Sequence, residues 1–287
     1  MKPADYEYLR KFLKQRSGLD LSSDKQYLVE SRLIPLARRN GLAGIAELVG
    51  SLRGGSDPLD KEVVEAMTTN ETFFFRDKAP FDHLSETIFP ALVKARADRR
   101  ALRIWCAASS TGQEPYSIAM VAKEFPGLSG WRVEIVATDL SQAVLEKSRS
   151  GLFSQFEVQR GLPIQMLVKH FTPAGELWQL NADIRAMVQH RQLNLLQDFA
   201  SLGMFDVIFC RNVLIYFSQE TKALIFNRLA QMIEPDGVLV LGAAESAVGI
   251  SDAFRPYPDK RWLYRPEVVR PVQKPATAAL KLIAAAR

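Results

Sequence analysis

Short apolar runs alternate with helical patterns along most of the chain after residue 100, and this alternation restricts the fold more than any other feature. Runs at 103–108, 131–139, 205–212 and 235–242 resemble strands, and a helical pattern follows each of the first three. Strands that alternate with helices are typical of βαβ units and a parallel sheet. Because crossovers between parallel strands are right-handed, the sequence predicts a doubly wound α/β sheet. Residues 262–265 predict a closing strand, which we expect to be antiparallel.

The residues before this region have a different pattern. Apolar residues recur at helical spacing in two segments, beginning with Tyr8, Leu9 and Phe12, and Gly41 gives a stop signal after the second segment. We expect three or four short helices and no strand. The sequence therefore predicts an all-α N-terminal domain ahead of the α/β domain.

The regular alternation breaks once inside the α/β domain. Two short segments at 177–180 and 184–188 predict antiparallel strands, and 162–171 predicts a helix, so we expect a small β insertion. The predicted divisions are an N-terminal helical domain (1–66), a linker that contributes to the site (67–78), the α/β domain (79–266) with its insertion (151–192), and a C-terminal tail (267–287).

The composition of the 287-residue chain excludes some kinds of site. Its two cysteines, Cys106 and Cys210, lie inside apolar runs, and none of its three histidines has a metal-ligand or catalytic-triad spacing. We therefore expect buried cysteines and no metal site. The net charge of +5 favours an acidic partner but gives only weak support for nucleic-acid binding, so we expect none.

Segments that would direct the chain to a membrane are absent from the sequence. No apolar run approaches the roughly 20 residues that a membrane-spanning helix needs. The first residues are charged throughout and lack the apolar core of a secretory signal. We therefore expect a cytoplasmic protein without membrane insertion, and we expect it to be a monomer.

The loop 107–117, AASSTGQEPYS, follows the first predicted strand, where ligands of open α/β sheets bind. Its single glycine does not match the three-glycine turn that holds a pyrophosphate, which argues against NAD. Glu114 would repel a phosphate, but its carboxylate could accept hydrogen bonds from an ammonium group. The alternative is that Glu114 only caps the following helix.

Two further strand ends carry polar residues. Asp139 ends the second strand, where an acidic residue commonly binds ribose hydroxyls, although Asp is also a favoured N-cap for the following helix. Arg211 and Asn212 follow the strand that ends near Cys210, a position suited to ligand contact. Tyr216 comes next, and it either contacts the ligand or packs in the core with its apolar neighbours.

Five short motifs occur in an order and spacing that resemble one known family. They are TNETFFFR (69–76), SSTGQEPYS (109–117), ATDLS (137–141), NLL (194–196) and FCRNVLIYF (209–217). Together they resemble the chemotaxis receptor glutamate O-methyltransferases of the CheR type, from the N-terminal helices to about residue 266. The resemblance implies a Rossmann-like S-adenosylmethionine-dependent methyltransferase domain behind a small helical domain.

Members of this family methylate specific glutamate side chains on the cytoplasmic helices of methyl-accepting chemoreceptors, for sensory adaptation. The resemblance implies the same reaction here, with S-adenosylmethionine as cofactor and S-adenosylhomocysteine as product. A glutamate carboxyl has a pKa near 4.3, so it is ionised at neutral pH and the transfer needs no general base. A chain without a histidine or cysteine constellation is compatible with that chemistry.

The resemblance also implies roles for particular residues. Arg76 and Tyr216 match the positions nearest the methyl transfer. Arg32, Arg38 and Arg39 would form a basic face that docks the acidic receptor helices, unless they are only a solvated helix face. The cofactor residues that the resemblance implies are Asn70, Thr72, Arg76, Glu114, Asp139, Asn194, Leu195, Cys210, Arg211 and Asn212.

Two expectations concern the surroundings of this site. Some relatives bind a peptide at the receptor's C-terminus through a Gly-rich loop of the insertion, but the turn at 171–178 is short and has one glycine. We therefore expect no dependence on such a tethering peptide. We also expect the phenylalanines at 73–75 to pack between the two domains. Two other functions stay open: methyl transfer to RNA or a small molecule, and cofactor sensing by a non-catalytic module.

Overall fold

The computed structural model describes residues 1–55 and 57–267, so the predicted tail lies outside the described residues except for Glu267. The N-terminal part is helical, as predicted, and its buried residues form a core of their own. Helix α1 ends because Gly18 adopts a left-handed φ of 80° and its N–H bonds the carbonyl of Lys14. The helices of this part are α1 (Pro3–Ser17), α2 (Gln26–Arg39), α3 (Ile45–Arg53) and α4 (Asp57–Met67).

The remaining helices surround two sheets. After a non-helical linker, α5 (Ala79–His83) continues through a π-helical segment, Leu84–Ile88, into α6 (Phe89–Ala95). The later helices are α7 (Gln113–Glu124), α8 (Gln142–Ser150), α9 (Gln155–Gln159), α10 (Ile164–His170), α11 (Ala182–Arg185) and α12 (Gln219–Ala230). The strands are β1 (Ala101–Ala107), β2 (Arg132–Asp139), β3 (Leu152–Ser154), β4 (Phe171–Ala174), β5 (Leu177–Leu180), β6 (Val188–Gln192), β7 (Phe205–Cys210), β8 (Ile233–Leu241), β9 (Phe254–Pro256) and β10 (Leu263–Pro266).

The larger sheet has the order β6-β2-β1-β7-β8-β10-β9. Strands β6, β2, β1, β7 and β8 are parallel, and β10 runs antiparallel to both β8 and β9. The doubly wound sheet and its antiparallel closing strand are therefore confirmed. Because β1 pairs with β2 on one side and β7 on the other, the strand order reverses beside β1, which is where such sheets bind ligands.

Side chains of the central strands alternate between two cores, one on each face of the sheet. Ile104 and Cys106 of β1 face one core, and Trp105 faces the other together with Cys210 of β7. Both cysteines are unpaired and fully buried, which confirms their prediction as small core residues.

The insertion differs from the prediction at its second strand. Strands β3, β5 and β4 form a separate antiparallel sheet, so the strand predicted at 177–180 is confirmed. The strand predicted at 184–188 is wrong, because these residues comprise the end of α11, a turn, and Val188, the first residue of β6. Strand β6 pairs parallel with β2 at the edge of the larger sheet. The apolar spacing that predicted a strand arises because Ile184 is buried by a helical turn.

The three phenylalanines of the linker pack against the α/β domain and its insertion. The ring of Phe74 is fully buried, with centroids 5.0 Å from Phe153 and 5.7 Å from Phe171. Phe75 contacts Phe81 of α5 at 5.2 Å. The core of the helical domain contains none of the three within the described residues, so the prediction that they pack between the domains is wrong. They attach the linker to the α/β domain instead.

Candidate functional site

A cleft opens at the carboxyl ends of the central strands, between the linker and the helical domain. Its volume is about 1050 Å³ when the space open to solvent is included. It is lined by every residue predicted for the cofactor and methyl-transfer site except Cys210: Asn70, Thr72, Arg76, Glu114, Asp139, Asn194, Leu195, Arg211, Asn212 and Tyr216. Residues separated by up to about half the chain are thus brought together at the predicted edge of the sheet.

Cys210 is withdrawn from this cleft. Its side chain is fully buried in the core behind β7, and burial raises the pKa of the thiol well above its ordinary value. The resemblance implied Cys210 as part of the strand end that contacts the cofactor, and the buried position of the thiol leaves only its backbone for that role.

Arg211 and Glu114 form a buried ion pair in the lining of the cleft. Nη1 of Arg211 donates to Oε2 of Glu114 at 2.7 Å, while Nη2 donates to the carbonyl of Arg76 at 2.9 Å and to Oδ2 of Asp77 at 2.8 Å. Burial raises the pKa of Glu114, and the charge of Arg211 opposes that shift. The hydrogen bond that the Glu114 carboxylate makes within the described residues is to Arg211 and not to a backbone N–H of α7, which disfavours the capping alternative.

The contacts of Arg211 change the role expected for it. The side chain was predicted to contact a cofactor, but both terminal nitrogens bind protein groups and only 1% of the side chain is exposed. Its main effect is to fix Glu114 against the linker. Asp77, which the sequence analysis did not single out, completes this arrangement, and its position next to Arg76 was the available signal.

Asp139 fixes the loop after β1. Its Oδ2 accepts the N–H of Ser110 at 2.8 Å, and its Oδ1 accepts the N–H of Ser141 at 3.0 Å. Burial raises the pKa of its carboxyl group. The N-cap of α8 is Ser141, whose hydroxyl accepts the N–H of Val144, so the N-cap alternative for Asp139 is wrong.

The loop held by Asp139 has an unusual backbone. Ala108 has a φ of 63° and Ser110 a φ of 51°, in the left-handed region that few residues other than glycine adopt. Both residues line the cleft together with Ser109. Such backbone strain in a ligand-binding loop is typical of functional sites, where surrounding contacts maintain it.

Asn194 joins the two domains. Its Nδ2 donates to the carbonyl of Arg16, near the end of α1, at 2.6 Å, and its Oδ1 accepts the N–H of Leu196 at 3.0 Å. The adjacent Leu195 is buried in the core and reaches the cleft. Both polar atoms of the Asn194 amide therefore bind protein groups, although the side chain lies in the cleft lining.

The helical domain also contributes directly to the cleft. Ser17 and Leu19, on either side of Gly18, line the cleft. The N–H of Asp20 donates to the carbonyl of Tyr216 at 2.9 Å. Ser17 and Leu19 were not predicted from the sequence. No signal in the sequence marks them, because their role depends on how the two domains pack.

The linker is held at its start and in its middle. Arg32 of α2 donates to the carbonyls of Met67 at 2.7 Å and Thr68 at 2.9 Å, and to the hydroxyl of Thr69 at 3.0 Å. Further along, Nη1 of Arg76 donates to the carbonyl of Glu71 at 2.7 Å. These contacts shape the linker wall of the cleft.

The contacts of Arg32 separate it from the other two arginines of the predicted docking face. Its guanidinium is half-buried and engaged by the linker, whereas Arg38 and Arg39 are exposed near the end of α2. The expectation of a free basic face therefore narrows to Arg38 and Arg39.

Tyr216 is half-buried at the edge of the cleft. It ends a 3-10 turn, Leu214–Tyr216, in which Leu214 points into the core and is 1% exposed. The core-packing alternative therefore describes Leu214, whereas Tyr216 lines the cleft.

The described part of the chain contains neither a metal centre nor a membrane-spanning helix. No group of three or more His, Cys, Asp or Glu side chains in the described part is placed to hold a metal ion. No helix within residues 1–55 and 57–267 is long and apolar enough to cross a membrane.

The fold and the cleft together define the class of this protein. The α/β domain has a cleft at its switch point, and its lining includes the carboxylates of Glu114, in the first turn of α7, and Asp139, at the end of β2. The family description "CheR methyltransferase, SAM binding domain" matches residues 70–262, and "CheR methyltransferase, all-alpha domain" matches residues 4–68. The chain belongs to the CheR family of methyltransferases.

Similar proteins agree with this assignment. The chain is 44% identical over 257 residues to chemotaxis protein methyltransferase 1 of Pseudomonas aeruginosa, covering 88% of this chain and 93% of that one. It is 42% identical over 260 residues to chemotaxis protein methyltransferase Cher2 of Pseudomonas putida, with coverage of 88% and 93%. It is 41% identical over 256 residues to a chemotaxis protein methyltransferase of Vibrio parahaemolyticus, with coverage of 87% and 92%. The protein is thus an S-adenosylmethionine-dependent methyltransferase of chemotaxis.

Proposed function

We propose that this enzyme methylates the γ-carboxylates of specific glutamates on the cytoplasmic helices of chemoreceptors. The observation that carries the proposal is the composition of the cleft. Its lining, within the described residues, includes the cation of Arg76 and the phenol of Tyr216 but no histidine or cysteine that could act as a base. A carboxylate nucleophile requires no base, because it is already ionised at neutral pH.

The lining fits the parts of S-adenosylmethionine. Oε1 of Glu114 remains for the ammonium group, and Asp139 lies at the strand end that suits ribose hydroxyls. Leu19, Leu195 and Phe217 offer apolar surface for an adenine ring. One buried polar atom of a lining residue, Oγ of Ser109, has no hydrogen-bond partner within the described part of the chain, as expected beside a polar ligand.

The cofactor supplies an activated methyl group on its sulfonium centre, and the protein has to orient the acceptor. Arg76 orients the glutamate carboxylate by charge and hydrogen bonding, and Tyr216 donates a hydrogen bond to it. Orientation of this kind can supply about 7–11 kcal/mol of the barrier reduction. The need to orient the acceptor carboxylate also explains why many contacts hold the linker and the turn before Tyr216.

The test is methyl transfer from tritiated S-adenosylmethionine to receptor-containing membranes, with the modified sites mapped by mass spectrometry. We expect labelled glutamates in the receptor, and we expect Arg76→Ala and Tyr216→Phe to lower kcat while product affinity, measured by calorimetry, changes less. Full kcat in either variant would remove that residue's role. Labelling of RNA or small molecules instead of the receptor would replace the substrate, and cofactor binding without any transfer would indicate a sensing module.

Arg38 and Arg39 support a second part of the proposal, which concerns docking. They are exposed at the end of α2, and acidic receptor helices would be attracted to them over distances set by the ionic strength. The alternative is that these two arginines only form a solvated helix face and bind no partner.

The proposal does not include a tethering peptide. The turn between β4 and β5 consists of Gly175 and Glu176 alone, so this hairpin has no extended loop to enclose a peptide. Measurable binding of a pentapeptide from a receptor C-terminus would contradict this part. The monomeric state is likewise a prediction, which sedimentation equilibrium would check.

A further inference from the structure

Glu245 makes an unusual set of contacts beside the cleft. The residue is 8% exposed, and its carboxylate accepts four backbone N–H groups. Oε2 accepts from Asn212 at 2.8 Å and from Gly242 at 2.8 Å. Oε1 accepts from Val213 at 3.0 Å and from Leu214 at 2.7 Å. One side chain thus satisfies the first three N–H groups after Arg211 and ties them to the end of β8.

The backbone of this turn depends on such an acceptor. Asn212 has a φ of 57°, so the successive N–H groups of Asn212, Val213 and Leu214 converge on one point as in an anion-binding nest. Without the carboxylate these donors would lie unpaired at a partly buried site, which is costly. Gly242 leaves room for the carboxylate, because a Cβ there would lie 2.7 Å from Oε2 of Glu245.

The same turn continues directly to Tyr216, the residue that we propose contacts the acceptor carboxylate. The carbonyl of Val213 accepts the N–H of Tyr216 at 3.2 Å, and the carbonyl of Leu214 accepts the N–H of Phe217 at 3.1 Å. Asn212, Val213, Tyr216 and Phe217 all line the cleft. The position of the Tyr216 hydroxyl therefore depends on a backbone segment whose first three N–H groups are held by Glu245.

We propose that Glu245 is a positioning residue for methyl transfer: it sets the turn that places Asn212 against the cofactor and Tyr216 against the acceptor carboxylate. The Tyr216 part of this inference rests on the proposed function. The charge matters as well as the shape. A glutamine has one acceptor oxygen, and its amide N–H₂ would face two of the four backbone donors.

The experiment compares Glu245→Gln with Asp206→Asn. Asp206 is a matched control, because its carboxylate is 1% exposed and lies at the opposite end of β7, where it binds Arg96 at 2.8 Å and the N–H of Arg103 at 2.9 Å. Both variants lose a buried, fully engaged carboxylate. We expect Glu245→Gln to lower kcat by about 10²-fold, as a displacement near 1 Å does. We expect Asp206→Asn to lower the unfolding temperature while kcat is retained.

A double-mutant cycle separates positioning from general damage. In the Tyr216→Phe background the effect of Glu245→Gln on kcat should become small, because residues that act as one unit are non-additive. Equal effects of Glu245→Gln in both backgrounds would overturn the Tyr216 part of the inference, as would a kcat like that of wild type. Glu245→Asp keeps the charge on a shorter side chain, so it should restore part of kcat, and it carries the test if Glu245→Gln does not fold.

Product affinity gives a readout that does not depend on the receptor. S-adenosylhomocysteine should bind Glu245→Gln about tenfold more weakly than wild type, measured by calorimetry, and Asp206→Asn with unchanged affinity. If wild type transfers no methyl group to receptors, the proposed function fails, while the affinity difference still supports the placement of Asn212 by Glu245. Equal affinity in wild type and Glu245→Gln would overturn that placement.

Discussion

Nη1 of Arg211 lies 2.7 Å from Oε2 of Glu114, which joins the residue after β7 to the first turn of α7 across the cleft lining. The resemblance implied that both residues belong to the cofactor site. Instead both terminal nitrogens of Arg211 bind protein groups, and one carboxylate oxygen of Glu114 is left facing the cleft. The orientation of the Glu114 carboxylate, which we propose binds the ammonium group of the cofactor, is therefore set by Arg211.

Arg211→Ala should destabilise the protein strongly. It would leave the buried carboxylate of Glu114 without its cation and would also remove the partner of Asp77, a kind of change that costs about 3–5 kcal/mol. Glu114→Gln, which keeps a hydrogen-bond acceptor and introduces no unpaired charge at that position, should cost less. Urea unfolding of both variants at neutral pH measures the difference. Equal stability of Arg211→Ala and wild type would show that the ion pair contributes nothing.

Gly112→Ala should be far more damaging than a glycine substitution at an open turn. Gly112 has a φ of 97°, and a Cβ there would lie 2.1 Å from Oγ of Ser148 on α8. Cβ of Ser148 and Cε2 of Tyr116 each lie 3.0 Å from the added Cβ, so these side chains must move, at a cost of about 1–3 kcal/mol in addition to the backbone strain.

The matched control is Gly175→Ala in the insertion. Gly175 has a φ of 64°, but no atom lies within 4 Å of the added Cβ, so only the strain of roughly 1–2 kcal/mol remains. Thermal unfolding compares the two variants. A similar loss in both would mean that the contact with Ser148 is unimportant.

Parts of this structure were readable from the sequence because they depend on local patterns. The strands beginning at Ala101, Arg132, Phe205 and Ile233 have apolar runs of strand length, and the rule that ligands bind at carboxyl ends then predicted where Asp139 would lie. The four helices of the N-terminal part follow from helical spacing in the same way.

Other parts depend on contacts between distant residues. Arg211 and Glu114 are 97 positions apart, and nothing near either residue indicates that one will bind the other. The carboxylate of Glu245 holds N–H groups more than 30 positions away, so the sequence around it gives no sign of its role. The incorrect strand at 184–188 has a local cause, because Ile184 is buried by a short helix although its apolar spacing is that of a strand.

The free energy of unfolding should decrease as the pH is lowered, in a window set by the pKa of His190. Its Nε2 lies 2.7 Å from Oγ of Ser148, and burial lowers the pKa of the imidazole from 6.5 to about 4, with a smaller effect from the charge of Arg149. Between these two values the unfolded chain binds a proton that the folded chain does not. The contribution of the neutral His190 to the free energy of unfolding is therefore complete above about pH 6.5 and decreases as the pH falls toward 4.

His190→Gln isolates this contribution. Glutamine can keep a hydrogen bond to Ser148 but takes up no proton, so the loss of stability between pH 6.5 and 4 should be smaller than in wild type. Urea unfolding at several pH values within that window measures it for both proteins. Carboxylates elsewhere titrate alike in the two chains, so their effect cancels. Identical pH dependence of the two proteins would contradict the assignment to His190.

Arg32 and the pair Arg38 and Arg39 should affect different steps, although all three lie on α2. Arg32→Ala removes three hydrogen bonds to Met67, Thr68 and Thr69, which line the cleft, so we expect weaker binding of S-adenosylhomocysteine. Hydrogen bonds from a charged donor contribute about 1.5–3 kcal/mol each at most, and part of that loss should appear in the calorimetric affinity.

The double variant Arg38→Ala, Arg39→Ala should leave product affinity unchanged, because both side chains are exposed and neither lines the cleft. Its binding to receptor-containing membranes should weaken, and it should lose most of the salt dependence that wild type shows, since charge attraction between exposed groups is screened by ions. Receptor binding measured between low and physiological salt distinguishes the cases. A salt dependence like that of wild type would assign these two arginines to the solvated face of the helix, and an altered product affinity would show that they act through the linker as Arg32 does.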